Sequence, residues 1–93
     1  MNESEIRAVV LHELRAIAPE VPAEQIRPAD DLREQLDLDS MDVVNLMAAL
    51  EDRLGVHIAE TDHKRMASLD AAVAYLAAAL QHGAPGATEP NRQ

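Results

Sequence analysis

Leu36-Asp37-Leu38-Asp39-Ser40-Met41-Asp42-Val43 carries the start signal of a central helix. Asp39 followed three positions later by Asp42 is a reciprocal capping pattern, in which each carboxylate can accept the other's backbone N–H. Leu38 and Val43 stand where a hydrophobic staple would clamp the entry. The pattern predicts a helix whose first residue is Ser40, exposed at a positive helix end. Gly55 is a natural left-handed stop, so the helix should run to Leu54. Along it Val43, Leu46, Met47, Leu50 and Leu54 form one apolar stripe of the width that burial against a core requires. Met41, Val44 and Ala48 recur at i, i+3 and i+7 on another side, bordered by Asp42, Asn45, Glu51 and Asp52. That second stripe is either scattered surface hydrophobes or a docking face.

Upstream, Ile6, Val9, Val10, Leu14 and Ile17 recur at helical spacing and predict a first amphipathic helix from Ser4 to about Ile17, capped by Asn2 or Ser4. Pro19, Pro22 and Pro28 then interrupt regular structure to about residue 29, because proline lacks a donor and restricts the residue before it. A long connection follows, pinned by Ile26, Leu32 and Leu36. Such a loop either crosses between helix ends or serves function. Downstream, Val56 and Ile58 lead into one or two helical turns over Glu60 to Met66. Ser68 caps a last helix with Leu69, Ala72, Val73, Leu76, Ala77 and Leu80 on its stripe. Gly83-Ala84-Pro85-Gly86 ends that helix, and the polar remainder reads as a disordered tail. The expectation is therefore an all-α, four-helix domain over residues 1–82, with a long first loop, a short third helix and a tail over 83–93.

Ninety-three residues suit one small domain. Tyr75 is the only aromatic residue, so the core must be built from Leu, Ile, Val, Met and Ala. Seventeen acids against eight bases argue against nucleic acid or an anionic membrane surface as partner. The charge is also concentrated: from Asp30 to Asp62 there are ten acids against only Arg33 and Arg53. The absence of cysteine excludes disulfides and thiolate metal sites. No apolar run approaches the roughly 20 residues of a membrane span, and the N-terminus lacks a secretory pattern. A soluble, cytoplasmic protein without membrane insertion is expected.

The residues that could carry chemistry do not assemble into a catalyst. Aligned on a calcium loop starting at Asp37, Met41 takes the fifth position, Asp42 the sixth where glycine is needed, and Ala48 the twelfth. His12, His57, His63 and His82 are dispersed, without ligand spacing, so no metal is expected. Ser40 has neither a glycine-framed elbow nor a positioned histidine base, so neither hydrolytic nor other catalysis is expected. A serine at an exposed helix start makes sense as the substrate of another enzyme. A phosphodiester there would sit on free backbone N–H groups at the positive end of the helix.

Together with Ala49-Leu50-Glu51-Asp52-Arg53-Leu54-Gly55-Val56 and Ile58, the quoted stretch resembles an acyl carrier protein, and the resemblance covers about residues 4 to 80. It implies that Ser40, flanked by Asp39, receives 4′-phosphopantetheine from coenzyme A through a phosphopantetheinyl transferase. It also implies a monomeric carrier of acyl thioesters in fatty-acid, polyketide or another specialised acyl chemistry. Acyl-loading, synthase or acyltransferase enzymes with basic docking surfaces would meet Met41, Asp42, Val44, Asn45, Ala48, Glu51 and Asp52. An acyl chain would be sheltered between helices by Leu46, Met47, Leu50, Met66 and Val73, where the unbranched methionines can rearrange around a guest. The alternative is an interaction domain of the same fold without a prosthetic group. The sequence departs from the family's usual pattern at Asp37, where glycine is common, at Met41, where leucine is common, and at Asn45, where fatty-acid-synthesis members tend to have glutamate. His63-Lys64-Arg65 also places positive charge on a short helix that is typically acidic, and Lys64 and Arg65 are expected to repel part of a partner's basic patch.

Overall fold

Asn2 Oδ1 accepts the Glu5 backbone N–H at 2.8 Å, and Glu5 Oε1 accepts that of Asn2 at 2.9 Å. This reciprocal cap starts α1 (Glu3–Ile17) and places Ser4 inside the helix rather than at its cap. The structure is a computed structural model that describes residues 1–81; the expected domain end at residue 82 and the tail over 83–93 lie outside the described residues. Helix α1 buries Ile6, Val10 and Leu14, with Val9 and Ile17 packed at the edge.

The connection after α1 is more ordered than its prolines suggest. A 3-10 turn, Ala23–Gln25, follows Pro22. A four-residue helix, α2 (Leu32–Gln35), is then opened by Asp31, whose carboxylate accepts the N–H groups of Arg33 and Glu34. Ile26, Leu32 and Leu36 are buried as expected, and Leu38 joins them. Backbone bonds tie the loop to the rest of the fold: Leu32 N–H to Ala67 O at 2.7 Å and Asp70 N–H to Pro28 O at 2.9 Å. The Gln35 amide braces it from within, donating to the carbonyls of Arg27 and Asp30 and accepting the Arg27 N–H. One helical turn is too short to leave a period in the sequence, which is why α2 was not legible there.

Helix α3 (Ser40–Leu54) has the expected bounds and ends on Gly55 at φ 67°. The segment Glu60–Met66 is a 3-10 helix of seven residues. Ser68 Oγ then accepts the Ala71 N–H at 3.1 Å, and α4 (Leu69–Gln81) follows. Its buried face is Leu69, Ala72, Val73, Leu76 and Ala79, whereas Ala77 and Leu80 are only partly buried. Helix α1 packs on both α3 and α4, and the 3-10 segment packs on α4. Ion pairs fasten the two α1 interfaces at the surface, Arg7 to Asp70 at 2.9 Å and Arg53 to Glu13 at 2.7 Å. The described residues form only helices, turns and irregular segments, and their core is aliphatic, with Ile6, Val10, Leu14, Leu50 and Leu76 at its centre and no buried polar or charged side chain.

Candidate functional site

A left-handed turn at Asp37, φ 53°, lies three residues before Ser40. It reverses the chain after α2, closing a bond from Leu38 N–H to Arg33 O at 3.0 Å, so that Leu38 enters the core and the next two residues emerge. Asp39 Oδ1 accepts the Asp42 N–H at 2.8 Å, and Asp42 Oδ2 accepts the Asp39 N–H at 3.2 Å. Ser40 is then the first residue of α3 and is exposed. Among the described residues its hydroxyl, its own N–H and the Met41 N–H have no protein hydrogen-bond partner. An exposed hydroxyl next to two free donors at the positive end of a fifteen-residue helix fits a phosphodiester oxygen set.

The expected second stripe is on the surface. Met41 is 63% exposed and Val44 45%, and apart from Met1 they are the exposed large hydrophobic residues of the described chain. Ala48, Asn45 and Asp52 are exposed around them, while Asp42 is half-buried in the cap.

Beside Ser40 a cleft of about 710 Å³ opens between α2, the start of α3 and the 3-10 segment. Its apolar wall includes Leu46, Met47 and Met66 of the expected pocket, together with Leu38 and Val43, which precede and follow Ser40 in the chain. Leu50 and Val73 sit behind this wall, in the core, and do not line the cleft. The staple residues that define the start of α3 thus also form one side of the cavity.

Residues 5–76 match the family pattern described as the phosphopantetheine attachment site. A 73-residue stretch is 32% identical to the acyl carrier protein of Helicobacter hepaticus, spanning 78% of this chain and 90% of that protein. The chain belongs to the acyl carrier protein family. Phosphopantetheine is therefore the prosthetic group of this carrier. The acyl carrier protein of Saccharopolyspora erythraea is 49% identical over 41 residues, a match that spans 44% of this chain and 43% of that protein. The solved acyl carrier protein from Enterococcus faecalis superposes with a TM-score of 0.73 at 24% identity, covering 84% of this chain and 98% of that one, and shows the same fold.

Three features of the carrier site were not visible in its sequence. Glu51, expected on the docking face, is half-buried: its Oε2 accepts the Ile58 N–H at 2.7 Å and lies 3.3 Å from His57 Nδ1. It holds the link between α3 and the 3-10 segment, whereas its neighbour Asp52 is exposed. The basic turn also divides. The Arg65 guanidinium lies 3.6 Å from Asp62 and 5.3 Å from the centre of the Tyr75 ring, whereas Lys64 has no carboxylate partner among the described residues. The Tyr75 hydroxyl donates to Asp62 Oδ2 at 2.7 Å; burial, then this bond, raises its pKa above 10.0.

Proposed function

We propose that the phosphopantetheine of this carrier is attached at Ser40 and that α3 presents it to partner enzymes. The observation that carries the reading is the unengaged Ser40 hydroxyl at the first position of a capped helix, beside the free N–H groups of Ser40 and Met41. Ser40 Oγ attacks the coenzyme A phosphorus nearer the pantetheine and forms a new P–O bond. The pyrophosphate P–O bond breaks, adenosine 3′,5′-bisphosphate leaves, and the serine proton passes to a base on the transferase. The group, once attached, supplies a thiol that holds acyl groups as thioesters.

Every other role falls to residues of the chain. The N–H groups of Ser40 and Met41 would hold the phosphate oxygens and offset the nearby Asp39 and Asp42. Asp52 and the acids around it steer basic partner surfaces, and Met41, Val44, Asn45 and Ala48 make the contact once docked. The wall formed by Leu46, Met47 and Met66 shelters an apolar acyl segment. In this reading the carrier catalyses nothing itself and works as a cytoplasmic monomer between a phosphopantetheinyl transferase and acyl-handling enzymes of fatty-acid, polyketide or another specialised acyl chemistry. Intact-mass spectrometry after incubation with coenzyme A and a promiscuous transferase should show one added phosphopantetheinyl group, lost in Ser40→Ala with the fold unchanged. An added group on Ser40→Ala would move the attachment point; no added group on the parent would favour an interaction domain without a prosthetic group.

A further inference from the structure

The described part of the chain contains seven lysine and arginine residues, and four of them are paired: Arg7 with Asp70, Arg27 with Asp30, Arg53 with Glu13 and Arg65 with Asp62. Arg15, Arg33 and Lys64 have no carboxylate within 4.0 Å among the described residues. Arg15 lies on α1 and lines a separate shallow groove. Arg33 and Lys64 are both exposed, and both line the cleft beside Ser40.

Their position bears on every partner. Leu38 and Val43 form the same cleft, so an enzyme that covers Ser40 also faces its rim. Two acids share that rim. Asp31 is turned into the start of α2, where it accepts two backbone N–H groups, and Glu60 is exposed. The rim is therefore locally balanced in charge, within a segment where acids outnumber bases ten to two. A partner drawn to the acidic, apolar side of α3 meets two unpaired cations a short distance away.

We propose that Arg33 and Lys64 are specificity-determining contacts of the carrier. They disfavour enzymes whose carrier-facing surface is basic throughout. They admit enzymes with a basic patch opposite α3 and an acidic group opposite the cleft rim. The pairing of Arg65 with Asp62 and its place over Tyr75 remove it from this role, and Arg33, thirty-one positions upstream of Lys64, takes it instead. The inference rests on Ser40 as the attachment residue, since that is what brings partners over the cleft.

The test measures initial rates of arm addition from coenzyme A by a phosphopantetheinyl transferase whose carrier-facing surface is basic throughout. Lys64→Glu and Arg33→Glu are compared with the parent and with Arg15→Glu, which makes the same change in net charge elsewhere. A swing of two unit charges about 8 Å from one partner charge in water corresponds to about a fivefold gain in kcat/KM at low ionic strength. At about 0.15 M, where the screening length is about 8 Å, the gain should fall to about twofold. Lys64→Gln should give an intermediate gain, and Arg15→Glu should stay within about 1.5-fold of the parent. With one rim-facing basic residue of the transferase changed to glutamate, the preference should reverse, the parent being loaded faster than Lys64→Glu. No gain from Lys64→Glu, a loss, an equal gain from Arg15→Glu, or no reversal with the altered transferase overturns the inference. Failure of every variant and of the parent to gain the arm overturns the proposed function instead, and an arm retained on Ser40→Ala overturns the Ser40 assignment.

Discussion

Glu51→Ala tests whether the acid at the end of α3 is a structural brace rather than a docking charge. The substitution removes the acceptor of the Ile58 N–H, a 2.7 Å bond in a part-buried setting between the buried residues Val56 and Ile58. A hydrogen bond to a charged group contributes about 1.5–3 kcal/mol. The contact with His57 adds little, at most about 1 kcal/mol, because the histidine side chain is 67% exposed. An acid in the last turn of a helix is opposed by the macrodipole, which returns about 0.3–1 kcal/mol when it is removed. The net expectation is a loss of about 1.5 kcal/mol, the lower part of the range because Glu51 is itself one-third exposed. For a domain of this size that is a fall in Tm of about 6–12 °C. Urea unfolding with an unchanged slope reads the free energy. Glu51→Gln keeps an acceptor and should lose about half as much, and amide exchange at Ile58 should quicken in both. A Glu51→Ala variant within about 0.5 kcal/mol of the parent, or a His57→Ala variant that loses as much, would refute the brace. Asp52→Lys, by contrast, should leave stability nearly unchanged and slow partner association.

At Asp37, φ 53°, the left-handed backbone disfavours residues with a Cβ, and β-branched ones most. Asp37→Val should lose about 1–2 kcal/mol in urea unfolding, while Asp37→Gly should match the parent or gain up to about 1 kcal/mol; equal stability of the valine variant would contradict the strained turn. The raised Tyr75 pKa sets an alkaline limit: the phenol is favoured in the folded state, so its contribution is fully present below the unfolded value near 10 and is lost as pH rises through the folded value. Stability should therefore decline above about pH 10, and Tyr75→Phe should flatten that decline; because Tyr75 is the only tyrosine, its ultraviolet titration in the native and urea-unfolded chain reports both values directly. Loading Ser40 with a medium-length apolar acyl group should shift the amides of Leu46, Met47 and Met66 more than those of Leu50 and Val73 behind the cleft wall. Each sheltered methylene would contribute at most about 0.8 kcal/mol, and unchanged shifts would place the chain outside.

The parts of this protein that are legible in its sequence are those governed by neighbours a few positions apart. The limits of α3, its reciprocal Asp39–Asp42 cap, the exposed Ser40, the Gly55 stop and the two apolar stripes all depend on spacings of three or four residues, and the structure has each of them. The buried anchors Ile26, Leu32 and Leu36 were legible for a related reason, being isolated apolar residues in a polar loop. Other features depend on contacts between distant segments, which no local rule can state. The loop is ordered because Leu32 reaches Ala67 and Asp70 reaches Pro28, and those partners lie across the fold. Glu51 becomes a brace because the chain turns at Gly55 and brings the Ile58 N–H back to it. Arg65 is paired with Asp62 and set over Tyr75, while Arg33 and Lys64 are left without a carboxylate on the rim of one cleft. A charge in the sequence is only a sign; whether it is neutralised by a neighbour or left facing a partner is fixed when packing sets the distances, because hydrogen bonds are lost within a few tenths of an ångström beyond contact and charges are screened over about 8 Å at about 0.15 M.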